Sequence, residues 1–102
     1  MSKKIRVSDL PVFDAADYLK SEQDCADYLS IALEDDDPAF LAAALGDVAR
    51  ARGMSQVARD AGITREGLYK ALSDEGNPSF ATVLKVMRAL GLRINVQPRA
   101  HA

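Results

Sequence analysis

An all-α fold of five to six short helices, closed by a short strand-like C-terminal tail, is the architecture this sequence predicts. Three observations carry it. Apolar residues recur every three to four positions in successive stretches, cap residues stand in front of those stretches, and residues 53–73 read as two short helices around a tight glycine turn.

In chain order, residues 1–13 have no helical period; Ile5 and Val7 alternate with Arg6 and Ser8 until Pro11 interrupts, which suits a short strand or an arm. Asp14 is placed to cap a brief helix through Tyr18 and Leu19. Ser21 followed by Asp24 resembles a capping box opening the next helix. Over residues 22–33 the stripe Cys25, Tyr28, Leu29, Ala32 and Leu33 opposes Gln23, Asp27, Ser30 and Glu34, an amphipathic pattern for packing on its own domain or on a partner. The run Glu34-Asp35-Asp36-Asp37-Pro38 breaks that helix and starts another, with Asp37 as cap and Pro38 in the first position, where a missing N–H costs nothing. Consecutive carboxylates without spaced oxygen partners have no metal-ligand geometry, so a solvated capping turn is the better reading. Over residues 39–52, Phe40, Leu41, Ala44, Leu45 and Val48 face the core, and Arg50 and Arg52 occupy the last turn before Gly53.

The central stretch GMSQVARDAGITREGLYKALS follows. Ser55 is positioned to cap a first helix whose Val57, Ala58 and Ala61 share a face, and Gly62 supplies the unhindered backbone for a sharp turn. Ile63 anchors the turn. Thr64 caps a second helix in which Leu68, Ala71 and Leu72 point inward, leaving Arg65, Glu66, Tyr69 and Lys70 on the opposite face. After it, residues 74–78 have turn chemistry, and Ser79 caps a final helix with apolar Phe80, Val83, Leu84, Met87 and Leu90. Gly91 ends that helix. Leu92, Ile94 and Val96 then alternate with Arg93, Asn95 and Gln97, and a strand there needs a mate: residues 5–7, a second subunit or a partner's sheet edge.

Two short helices at such a turn are a helix-turn-helix pattern, which angles the second helix outward for a major groove; an ordinary helical hairpin is the competing reading. Small Ala58 lets the helices approach closely. Arg65 is the natural guanine reader, because its guanidinium fork bonds bidentately to base-edge acceptors, while Thr64, Tyr69 and Lys70 are placed for bases or phosphates. Glu66 either accepts from a cytosine amino group or is simply a first-turn carboxylate favoured by the helix dipole.

Composition bounds the rest. A chain of 102 residues, 48% hydrophobic, makes one small domain with enough apolar material for a core. No run reaches the length of a membrane span and the charged start lacks an apolar signal core, so a cytoplasmic location without membrane contact is expected. One cysteine, Cys25, and one histidine, His101, assemble neither a metal cluster nor a nucleophile with its base; no enzyme, no metal and no cofactor are expected. The net charge of −2 hides an asymmetry: residues 1–49 carry four cations against eleven acids, residues 50–102 nine against four. The second half, net +5, suits phosphates, and the first, net −7, suits solvent or a basic protein.

The segments FDAADYLKSEQDCADYLSIALEDDDPAFLAAALGDVARARGM, SQVARDAGITREGLYKAL and GNPSFATVLKVMRALGLRI together resemble the Cro/C1-type helix-turn-helix superfamily and, more closely, the addiction-module antidote (antitoxin) proteins, over most of residues 13–96. One departure from the phage-repressor pattern is that Gln56 immediately precedes Val57 and Ala58, where those proteins hold a glutamine further ahead. The resemblance implies a bacterial antitoxin that neutralises a small mRNA-cleaving toxin by protein contact and represses its own operon, commonly as a homodimer on double-stranded operator DNA. A stand-alone regulator without a toxin is the alternative. Such a toxin handles RNA and is expected to be basic, which gives the acidic half a reason for pairing. The expected organisation is an acidic N-terminal arm with helices over residues 1–36 as a partner-binding region, a DNA-binding helix-turn-helix domain over 37–97, and a flexible tail over 98–102. The residues expected at DNA are Ser55, Gln56, Thr64, Arg65, Glu66, Tyr69 and Lys70.

Overall fold

Four of the five α-helices begin where a side chain satisfies backbone donors that the helix itself leaves unpaired. A computed structural model describes residues 15–73 and 75–100, and in them a 3₁₀ turn, Ala15–Tyr18, precedes five α-helices. These are α1 (Glu22–Leu33), α2 (Pro38–Arg52), α3 (Met54–Ala61), α4 (Arg65–Ala71) and α5 (Phe80–Ala89). The fold is all-α, as expected.

Ser21 and Asp24 form the full capping box of α1: Ser21 Oγ accepts from the Asp24 N–H at 3.0 Å, and Asp24 Oδ2 accepts from the Ser21 N–H at 3.1 Å. The acidic turn is built from its own carboxylates. Asp35 Oδ1 accepts from the Asp37 N–H, and Asp37 Oδ1 accepts from the Ala39 N–H with Pro38 in the first turn. Ser79 Oγ accepts from the Thr82 N–H to start α5.

The start of α3 departs from expectation. Ser55 is not its cap; the helix starts two residues earlier than such a cap would place it, at Met54, from Gly53, with no side-chain cap. Gly53 has φ +106° and donates its N–H to the Ala49 and Arg50 carbonyls, closing α2 while opening α3. Only glycine takes that conformation without strain, so a single residue turns the chain and brings Met54 into the core. Ser55 is left exposed.

One apolar cluster joins the helices. Cys25, Leu29 and Ala32 of α1 meet Leu45, Val48 and Ala49 of α2; Val57 and Ala58 of α3, Leu68 and Leu72 at α4, and Val86, Met87 and Leu90 at α5 complete it. Helix α2 packs on α1 and α3, and α3 packs on α4 and α5. The apolar stripes are not buried along their whole length. Phe40 and Leu84 stand exposed, Leu33 likewise, and Phe80 is 70% exposed. Phe40 and Phe80 lie in first turns and Leu33 is the last residue of α1, beyond the reach of the central cluster, and Val86 supplies α5 with a fully buried contact that the expected stripe omitted.

The strand-like tail finds no mate among the described residues. Among the described residues there is no strand; residues 92–100 follow α5 without regular structure, and Val96 is 88% exposed. Alternation alone does not make a strand, because its backbone groups need a second strand to pair with. The suggested mate at residues 5–7, the arm over 1–13, the Asp14 cap, Asp74 of the turn and His101 lie outside the described residues.

Candidate nucleic-acid interface

A helix of seven or eight residues does not hold together alone. Helices α3 and α4 persist because a locked turn and buried side chains fasten them to each other. Gly62 adopts φ +74° and ψ +30°, its N–H donates to the Arg59 carbonyl at 3.2 Å, and the Ile63 N–H donates to the Ala58 carbonyl at 3.0 Å. This pair of bonds is a Schellman closure, and Ile63 packs against the core beside it. Thr64 then caps α4 as expected, its Oγ1 accepting from the Gly67 N–H at 2.9 Å. Val57, Ala58 and Ala61 of α3 are buried, as is Leu68 of α4, and Leu72 just after it. Ala71 is half-buried.

Burying Leu68 and Leu72 decides what α4 presents outward. Arg65, Glu66, Tyr69 and Lys70 are all exposed, with Tyr69 at 44%. Arg65 and Tyr69 are neighbours at i and i+4. Arg65 Nη2 donates to Tyr69 Oη at 3.3 Å, and the guanidinium carbon lies 5.4 Å from the centre of the tyrosine ring. The hydrogen bond to the Tyr69 hydroxyl raises the Arg65 guanidinium above its ordinary value.

A cleft of about 800 Å³ gathers Ser55, Gln56, Arg65 and Tyr69 into one place. Its wall also contains two arginines that the sequence reading did not assign to DNA, Arg50 from the last turn of α2 and Arg59 of α3, together with Asp17 of the 3₁₀ turn. For Arg59 a signal was present: it follows Gln56 by three residues, which places both on one side of a helix. Arg50 had no such signal, because its nearness to α4 depends on the one-residue link at Gly53. Arg50 also donates to Asp47 Oδ1 at 2.9 Å.

The other expected residues lie elsewhere or are engaged. Lys70 lines a separate hollow of about 430 Å³ with Gly67, Ser79 and Thr82, between α4 and the start of α5. Thr64 and Glu66 line neither. Gln56 is held within α3: its Nε2 donates to both carboxylate oxygens of Asp60 at 2.9 and 3.0 Å, and its Oε1 accepts from Arg59 Nη1 at 3.3 Å. The two oxygens of one carboxylate lie too close together to engage both amide hydrogens, so they share one N–H and the side chain is held along α3.

An earlier stretch of the chain has the opposite sign. Residues 21–49, which hold α1 and most of α2, contain eight carboxylates and no lysine or arginine. No helix among the described residues is long and apolar enough to cross a membrane.

Comparison with known proteins adds one line of evidence. Residues 9–98 match a family model described as "Probable addiction module antidote protein". A Haemophilus influenzae (strain ATCC 51907 / DSM 11121 / KW20 / Rd) protein described as "Uncharacterized protein" is 60% identical over 90 residues, covering 88% of this chain and 93% of the relative. No solved structure matches significantly.

Proposed function

The chain belongs to the family of probable addiction module antidote proteins, and from that premise we propose that it is a DNA-binding antitoxin of the Cro/C1 helix-turn-helix type. In this reading it neutralises a small basic mRNA-cleaving toxin by direct contact, represses its own operon, and acts in the cytoplasm as a regulator without catalysis. The observation that carries the DNA half of the reading is the outward face of α4, where Arg65, Tyr69 and Lys70 stand exposed above a buried Leu68.

The chemistry is that of groove recognition. The N-terminal turn of α4 enters the major groove, Arg65 directs its fork at a guanine edge, and Lys70 meets the sugar-phosphate strand as a point charge. Ser55, Gln56, Thr64 and Glu66 flank that contact, and Arg59 adds a cation to the cleft wall. Two copies bound as a homodimer, with α4 helices about 34 Å apart, would meet successive major grooves on one side of the duplex. Exposed Phe80, Leu84, Ile94 and Val96 supply apolar surface for such self-association. The toxin half of the reading is assigned to the acidic stretch within residues 1–36, and the DNA half to residues 37–97. The cation-free run of residues 21–49 supports pairing with a basic partner, because complementary charge speeds encounter.

The test combines two binding assays. The chain is co-purified with the small protein encoded beside its gene, and binding to the duplex upstream of that gene is measured by gel shift at two salt concentrations. Arg65→Ala with Lys70→Ala is expected to weaken duplex binding by about 2–4 kcal/mol and to reduce the salt slope. Toxin binding should survive. Equal loss of both activities counts against separate surfaces, and the absence of a small Lys- and Arg-rich neighbour reduces the reading to a regulator without a toxin.

A further inference from the structure

The contact between Arg65 and Tyr69 uses little of what a guanidinium offers. Arginine carries five N–H donors, and the Tyr69 hydroxyl occupies one direction on Nη2 at 3.3 Å. Two neighbouring donors remain in the fork geometry that guanine O6 and N7 require. The ring, meanwhile, gives the charge a second hold at 5.4 Å. Tyr69 is itself braced: more than half of its surface is covered, and it shares the walls of two adjoining hollows with Arg50 and Met54. Met54 in turn is buried. The ring therefore stands between the wall that buried Met54 helps to form and the Arg65 guanidinium.

We infer that Tyr69 is a positioning residue that holds the Arg65 guanidinium along the outer face of α4, so that the pair, not Arg65 alone, discriminates guanine in the operator. The inference rests on the DNA-binding reading above and sharpens it. A free arginine loses side-chain freedom when it is ordered at an interface, at a cost of about two- to tenfold in affinity, and prior ordering by Tyr69 removes much of that cost. Phosphate contacts add affinity to every sequence alike, whereas a prearranged fork favours only the sequence that presents its acceptors in the right place. Tyr69 thus acts on specificity through Arg65 without itself reading a base.

The experiment is a double-mutant cycle on the full chain, with labelled duplexes carrying either the promoter upstream of its gene or a scrambled sequence of the same composition. Tyr69→Leu is expected to lower the ratio of promoter to scrambled affinity by about five- to tenfold in the wild-type background. Tyr69→Phe, which keeps the ring and loses the hydroxyl, should fall between. In an Arg65→Ala background Tyr69→Leu should change the ratio by less than about twofold, because the residue it positions is gone. A loss that persists undiminished there would mean that Tyr69 meets the duplex itself and overturns the inference. An independent readout needs no DNA: rotation of the Arg65 guanidinium, followed by ¹⁵N NMR, should be slowed in the wild type and released in Tyr69→Leu. Free rotation in the wild type removes the pair and with it the proposal, while leaving duplex binding standing. A wild-type chain that holds the pair but binds neither duplex sinks the DNA reading and the positioning role together.

Discussion

Helices α1 and α2 and helices α3 and α4 are built on the same core but face solvent differently. The first pair is long, capped at both starts by Ser21 and Asp37, and within residues 21–49 its charged side chains are all carboxylates. The second pair is short, draws its turn from a left-handed glycine, and exposes Arg59, Arg65 and Lys70. In α1 and α2 the polar side chains mostly stabilise the fold, as in the capping box and the Tyr28 hydroxyl donating to Asp47. In α4 the Thr64 cap serves the fold, and the remaining exposed groups do little for it. What the difference teaches is that α4 is displayed by its neighbours: too short to persist alone, it keeps its outer face available because Leu68 and Leu72 attach it from below.

The largest test of that comparison asks whether the two pairs share one fate. Leu45 in α2 and Leu68 in α4 are both fully buried. Truncation of either to alanine should cost about 2–5 kcal/mol in urea unfolding. If the core is common to both pairs, hydrogen exchange should accelerate in α1 as well as α4 for each variant. Acceleration confined to α3 and α4 in Leu68→Ala would break the comparison and make the second pair a separable unit.

The turn gives an intermediate effect. A Cβ at Gly62 meets nothing within 4 Å, so Gly62→Ala is penalised only by its φ of +74°. The expected loss is about 1–2 kcal/mol in thermal unfolding and, on the proposed DNA-binding reading, duplex affinity should fall as the angle between α3 and α4 relaxes. An unchanged midpoint would show that the turn does not hold the second pair.

The smallest effect belongs to the first pair and depends on pH. Burial, and then the hydrogen bond to Asp47, raises the Tyr28 hydroxyl from the usual 10.0 to about 12. The fold therefore favours the protonated phenol. Its contribution is complete below pH 10 and is lost as pH climbs towards 12. Tyr28→Phe should cost about 1 kcal/mol at neutral pH and flatten the alkaline part of the stability profile. A profile just as steep in the variant would assign alkaline lability to other groups.

Much of this molecule was legible before its coordinates. The starts at Ser21, Asp37, Thr64 and Ser79, the breaks at Gly62 and Gly91, and the inward faces of α3 and α4 follow from spacing and cap chemistry. Those signals act within a turn or two of chain, so a linear reading recovers them. Misreadings arose where distant parts of the chain compete. Ser55 has the chemistry of a cap, yet Gly53 starts α3, because a one-residue link from α2 brings Met54 inside. Phe40, Phe80 and Leu84 fit the apolar stripes, yet the central cluster does not extend to cover them.

By itself, the sequence determined that this chain is built of short helices with caps at Ser21, Asp37, Thr64 and Ser79, that its charge divides between an acidic first half and a basic second half, and that four particular side chains of α4 oppose its apolar face. Tertiary structure alone decided that Arg50 and Arg59 share a cleft with Arg65, that Gln56 is held by Asp60, and that Tyr69 lies beneath the Arg65 guanidinium. The reason is the range of the forces. Helix periodicity and capping are settled between residues three or four apart, whereas a shared cleft, or a mate for a strand, depends on how separate segments pack, which no local spacing encodes.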